Sequence, residues 1–203
     1  MQLSPVSPVS ALKRALKRYA PSRSPARSSG RAVRNKHAPR QIILIAHNLR
    51  SCHNVGSLLR TAEGMGVQEV ILSGYTPYPL QKLRDPRLPH ISAKIAKQIN
   101  KTALGAEHMI AWRQEPDVYD VIRKLQKDGW RIAALEQAPT SVKLPVYKPH
   151  EKVALLVGRE VEGVETDVLK ICDDIVEIPM YGHKESFNVV QAAAMGLYHC
   201  RFS

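Results

Sequence analysis

The 203-residue sequence is poor in cysteine, in aromatic residues and, before Glu63, in acid. Its three cysteines, Cys52, Cys172 and Cys200, stand far apart with no C-x-x-C pair. That excludes a disulfide scaffold and a zinc site readable from spacing, and it fits a reducing compartment. No stretch approaches about 18 consecutive apolar residues, so no membrane-spanning helix is expected. Nor is there an apolar segment suited to a secretory leader. His47, His53, His183 and His199 lack ligand spacing, so no metal site is expected. Walker A, H-E-x-x-H and G-x-S-x-G signatures are missing, as is a G-x-G-x-x-G after a strand; the last absence argues against an ordinary dinucleotide turn.

The chain nevertheless has the makings of a core. Hydrophobic residues make up 44% and charged residues 24%, which excludes a wholly disordered chain. The formal net charge is +12, unevenly spread. Residues 1–40 carry 3 Lys and 7 Arg with no acid, along with seven Ser and five Pro. This arm holds too little apolar surface to offset ordering entropy and is expected to be mostly disordered. One amphipathic stretch, Val9 to Tyr19, can form a short helix capped by Ser10 and ended by Pro21. Three readings of the arm stand side by side: a polyanion-binding tail, a mitochondrial transit peptide and a solvated tail without specific role. Residues 41–203 are nearly neutral and read as one domain. The expected location is the cytoplasm, or the mitochondrial matrix if the arm is a transit peptide.

From Gln41 onward strands and helices alternate. Ile42–Ala46, Glu69–Leu72, His108–Trp112, Arg131–Leu135, Val153–Val157 and Ile175–Ile178 are short apolar runs that predict buried strands. Apolar spacing predicts helices over Asn54–Met65, Ile91–Ala103, Asp117–Lys127, Thr166–Ile171 and Asn188–Tyr198, with a Pro-rich loop over Ser73–Pro89. Continuous rather than alternating apolar strands suit a parallel α/β sheet covered by helices on both faces. Ligands of such sheets sit beyond the strand C-termini, which directs attention to the loops after His47, Ser73, Glu136, Gly158 and Pro179.

Three clusters follow strand ends. Asn54-Val-Gly56-Ser-Leu-Leu-Arg60-Thr61-Ala62 places Asn54 to cap a helix, Gly56 to allow a close backbone approach and Arg60 further in. Gly158-Arg159-Glu160-Val161-Glu162-Gly163 makes a turn that exposes backbone N–H groups. Ile178-Pro179-Met180-Tyr-Gly182-His-Lys-Glu-Ser186-Phe187-Asn188-Val189 runs from a strand through a loop to a helix start. Each alone also reads as an ordinary cap or a solvated loop. Lys82, Arg84 and Arg87, with Arg50, are either phosphate contacts or plain surface. Trp112 and Trp130 flank strands and read as core.

In this order the clusters resemble the three motifs of the SpoU branch of the SPOUT RNA methyltransferases, over residues 41–203. Gly74 to Pro77 and Lys101 to Glu107 fall within the same likeness. Phe187 stands where Leu is usual in that family. The resemblance implies a parallel α/β sheet whose C-terminal segment forms a trefoil knot, and a homodimer in which both subunits build each site. It also implies methyl transfer from S-adenosyl-L-methionine to a ribose 2′-hydroxyl of tRNA or rRNA. Carried onto this sequence, Arg60 matches the catalytic arginine, as base or as phosphate clamp. Asn54 and Glu160 would orient it, and Ser186 and Asn188 would sit at the transfer site. Backbone groups near Leu135, Gly158, Ile178, Met180 and Phe187 would hold the cofactor. A SPOUT enzyme that methylates a base, and a non-catalytic RNA-binding protein of the same fold, are the alternatives.

Overall fold

The computed structural model describes residues 40–81 and 85–203. Expectations for the basic arm, and for Lys82 and Arg84, lie outside these residues. Seven strands form one sheet: β1 (Gln41–His47), β2 (Glu69–Ser73), β3 (Ala111–Glu115), β4 (Arg131–Leu135), β5 (Val142–Lys143), β6 (Lys152–Val157) and β7 (Asp174–Glu177). Their order is β3-β2-β1-β6-β4-β7-β5, and every pairing is parallel. The helices are α1 (Cys52–Gly64), α2 (Pro89–Ala103), α3 (Val118–Lys127), α4 (Thr166–Leu169) and α5 (Val189–Phe202).

Burial on both faces follows from the strand composition. In β1, Ile42, Leu44 and Ala46 pack against Val55, Leu58, Leu59 and Ala62 of α1 and Ala193 and Leu197 of α5. Ile43 and Ile45 point the other way, toward Val118, Val121, Ile122 and Leu125 of α3 and Val168 of α4. Trp112 and Trp130 are half-buried against these two clusters, one on each face.

Gly56 is the contact point between α1 and α2. A Cβ there would lie 2.2 Å from both the Ile99 carbonyl oxygen and the Thr102 hydroxyl. Only a residue without a side chain lets the two backbones approach so closely. Thr102 adds a hydrogen bond to the His53 carbonyl, 2.8 Å.

Three features differ from the sequence expectation. The strand anticipated at His108–Trp112 begins only at Ala111 and runs to Glu115. Gly105, at φ 95°, opens a 3-10 turn over Ala106–His108 that uses up the preceding residues, and Trp112 Nε1 donates to the Glu107 carbonyl across it. Asn54 does not cap α1. Ser51 does, accepting from the Asn54 N–H at 3.2 Å, and Asn54 lies inside the first turn with its amide free for another task. The two-residue strand β5 was not anticipated. Among the described residues no helix is long and apolar enough to cross a membrane.

Candidate active site

The C-terminal ends of β4, β6 and β7 open into one cleft. The turn 158–163 after β6 forms one wall, and Ile178, Ser186 and Phe187 after β7 form another. Leu135 and Glu136 lie at the end of β4, and Val189 and Ala192 of α5 close the floor. The turn is built by its glycines. Arg159 and Gly163 exchange backbone hydrogen bonds of 3.0 and 3.1 Å, and a Cβ on Gly158 would lie 2.5 Å from Gly163.

Glu160 reaches from this turn to the N-terminus of α1. Its carboxylate accepts from Asn54 Nδ2 at 3.0 Å and from the backbone N–H groups of Arg50 and Ser51, both at 3.3 Å. A helix N-terminus offers unpaired N–H groups and the positive end of the dipole, so a carboxylate belongs there. Burial works to raise the Glu160 pKa, but these hydrogen bonds outweigh it and the value falls below the ordinary one. Arg50 and Glu162 add an exposed ion pair between the same two segments.

A second polar cluster sits behind the turn. Glu165 pairs with Arg159 at 3.2 Å and accepts from Asn48 Nδ2 at 2.9 Å. Buried His47 hydrogen-bonds Ser73 Oγ through Nδ1, 2.9 Å, and Asn48 through Nε2, 3.0 Å. Asn48 Oδ1 accepts from the Tyr75 N–H, which fixes its amide with Nδ2 facing the ring. Burial pushes the His47 pKa below its ordinary value, against the pull of Glu165. Glu165 Oε2 lies 3.3 Å from His47 Nε2 and is otherwise buried without a hydrogen-bond partner among the described residues.

Of the residues singled out from sequence, Leu135, Gly158, Ile178, Phe187, Glu160 and Ser186 line the cleft. Met180 is partly buried but does not line it. Asn188 is exposed and caps α5, accepting from the Val190 N–H at 2.9 Å. Arg60 is exposed on α1 and does not line the cleft of its own chain. Six residues beyond Asn54, it lies about 9 Å along the helix and about 120° around it. Sequence reasoning pointed to the loop after Glu136 but assigned no role to Glu136 or Gln137, two polar residues in the cleft wall. Their signal was position alone, directly after a strand end.

Fold and cleft together define a class: a doubly covered parallel α/β domain with a ligand site at its strand C-termini. The chain belongs to the SpoU rRNA Methylase family, matched over residues 87–198. It is 30% identical over 182 residues to the 23S rRNA (guanosine-2'-O-)-methyltransferase RlmB of Xanthomonas axonopodis pv. citri, covering 89% of this chain and 66% of that protein. A putative TrmH family tRNA/rRNA methyltransferase of Staphylococcus saprophyticus is 28% identical, with 77% and 56% covered. The chain thus spans about half to two thirds of the length of these relatives. In fold it resembles an AdoMet-bound rRNA methyltransferase from Sinorhizobium meliloti: TM-score 0.67, 22% identity, 80% of this chain and 56% of that one.

Proposed function

We propose that this protein transfers a methyl group from S-adenosyl-L-methionine to a ribose 2′-hydroxyl of tRNA or rRNA, acting as a homodimer. The observation that carries this reading is the convergence of the turn 158–163 and the segment 178–187 on one cleft at the ends of β4, β6 and β7. The names of the relatives and the family membership support it.

The cleft fits the cofactor. Leu135, Ile178, Phe187, Val189 and Ala192 offer apolar surface for a purine ring. Strand-end main chain near Leu135, Gly158, Ile178, Met180 and Phe187 supplies donors and acceptors that read a base without special side chains. Four carboxylates, those of Glu136, Glu160, Glu162 and Glu177, line the cleft with one guanidinium, Arg159. When bound, S-adenosylmethionine supplies a methyl group on a cationic sulfonium.

The protein's own residues then have two tasks: to hold the ribose oxygen in line and to manage its proton. Ser186, in the cleft wall, and Asn188, whose Nδ2 is not used in capping, are assigned hydrogen bonds at the transfer site. Arg60 is assigned the phosphate beside the target ribose, since its planar fork grips a phosphate with two hydrogen bonds. Because Arg60 lies away from its own cleft, it serves the cleft of the second subunit. Glu160 and Asn54 join the cofactor turn to the helix that carries it. The trefoil knot of the C-terminal segment, an RNA-binding basic arm at residues 1–40 and a cytoplasmic setting complete this reading.

Mixed dimers test it. Arg60→Ala and Ser186→Ala homodimers are each expected to lose at least a hundredfold in methylation of tRNA or rRNA pools. Co-assembled, they regain about a quarter to a half of wild-type activity, because one cleft has both residues intact. Ribose-methylated nucleosides are the expected product; a methylated base, or no recovery in the mixed dimer, overturns the corresponding part.

A further inference from the structure

Two consecutive residues at the end of β4 reach both loops of the cleft, and neither belongs to a motif. Glu136 Oε2 accepts from the Val164 N–H at 2.9 Å, and its Oε1 accepts from the Gln137 N–H at 2.8 Å. The contact with the turn is close: Gly163 sits at φ 68°, and a Cβ there would lie 2.1 Å from Glu136 Oε2. The Glu136 backbone is itself fixed, its N–H bonded to the Val176 carbonyl of β7 at 2.9 Å. Gln137 Nε2 donates to the Glu185 carbonyl at 2.7 Å. Among the described residues, no other hydrogen bond from outside reaches residues 179–187, and side chains 181–188 are all exposed.

We infer that Glu136 and Gln137 are positioning residues that clamp the two cofactor loops onto β4, Glu136 holding the 158–164 turn and Gln137 holding the 179–187 segment. The inference rests on the cofactor reading above and deepens it. A loop tied at one point must be ordered by whatever it binds, and that ordering entropy weakens binding. Removing the tie therefore weakens cofactor uptake without touching the reacting atoms. Glu136 makes a charge-assisted bond with a partly buried N–H, and so carries more than Gln137, whose bond faces solvent.

The test uses the full chain and four measurements: thermal melting, calorimetry with S-adenosylmethionine, amide exchange at Val164, and trypsin cleavage after Lys184 in the cofactor-free protein. Glu136→Ala is expected to raise the cofactor Kd about tenfold and to speed Val164 exchange by a similar factor. Glu136→Gln keeps one acceptor oxygen and falls between wild type and Ala. Gln137→Ala is expected to raise Kd about threefold and to speed cleavage after Lys184. In turnover assays KM for the cofactor rises in all three, while kcat at saturating cofactor and KM for RNA hold. Variants that melt lower yet bind the cofactor like wild type would show plain structural support and overturn the inference, as would unchanged exchange and cleavage. Should wild type take up no cofactor while exchange and cleavage respond as expected, the loop ties stand and the methyltransferase reading falls.

Discussion

Between α1 and α2 the backbones meet at Gly56 with no room for a methyl group. In the segment 181–188, by contrast, every side chain is exposed and a Cβ on Gly182 would touch nothing within 4 Å. The first region is held by apolar packing, with Val55, Leu58, Leu59, Ile99 and Ala103 all buried. The second is held from outside, among the described residues, by one polar bond, from Gln137 at the end of β4 to the Glu185 carbonyl. A close-packed scaffold transmits small shifts, whereas a loop tied at single points can reshape around a ligand. The proposed reaction needs both: a firmly held helix N-terminus, and a wall that admits cofactor and RNA.

The largest expected contrast is a pair of identical substitutions. Gly56→Val should cost about 3 kcal/mol or fail to fold, because the three atoms it meets all belong to the facing helix. Gly182→Val should stay within about 0.5 kcal/mol of wild type in thermal melting. Similar melting of the two proteins would erase the distinction between the regions. A smaller effect separates the two helix caps. Ser51→Ala and Asn188→Ala should each cost about 1 kcal/mol. Only Asn188→Ala should also lower methylation, since Asn188 borders the open segment; equal activity losses would break this assignment.

The smallest effect is in pH. The Glu160 carboxyl has a folded pKa below its ordinary 4.5, so the unfolded chain takes up its proton first on acidification. Its stabilising link to α1 is fully present above 4.5 and is lost as pH falls through the lower folded value. Denaturant titrations at about pH 7 and about pH 3.5 should show the gap between wild type and Glu160→Gln narrowing at the acidic end. A gap that widens would place the carboxylate elsewhere.

Much of the fold was legible because burial on both faces writes itself as unbroken apolar runs. Arg131–Leu135 was predicted with the bounds observed, and the other strands of the central sheet within a residue or two at either end. The exception, β3, is displaced by a turn whose cause, the positive φ of Gly105, has no periodic signature. β5 escaped because two residues carry no period at all. In the site, glycine and polar spacing marked the loops after β6 and β7. What spacing could not convey was direction. Arg60 and Asn54 are neighbours in a motif, yet they leave α1 on different faces. Nor do Glu136 and Gln137 advertise themselves, since a polar pair after a strand is commonplace until tertiary structure shows what it holds.

The position of β6 sets an order of events for a newly made chain. It lies between β1 and β4, although Lys152 emerges long after His47. One edge of β1 therefore stays open through most of synthesis, and β7, later still, must insert between β4 and β5. Such long-range parallel pairing is slow and leaves apolar edges exposed to neighbours on the way. Refolding from denaturant should accordingly be sluggish and sensitive to protein concentration, and help from chaperones should matter more to yield than the final stability does.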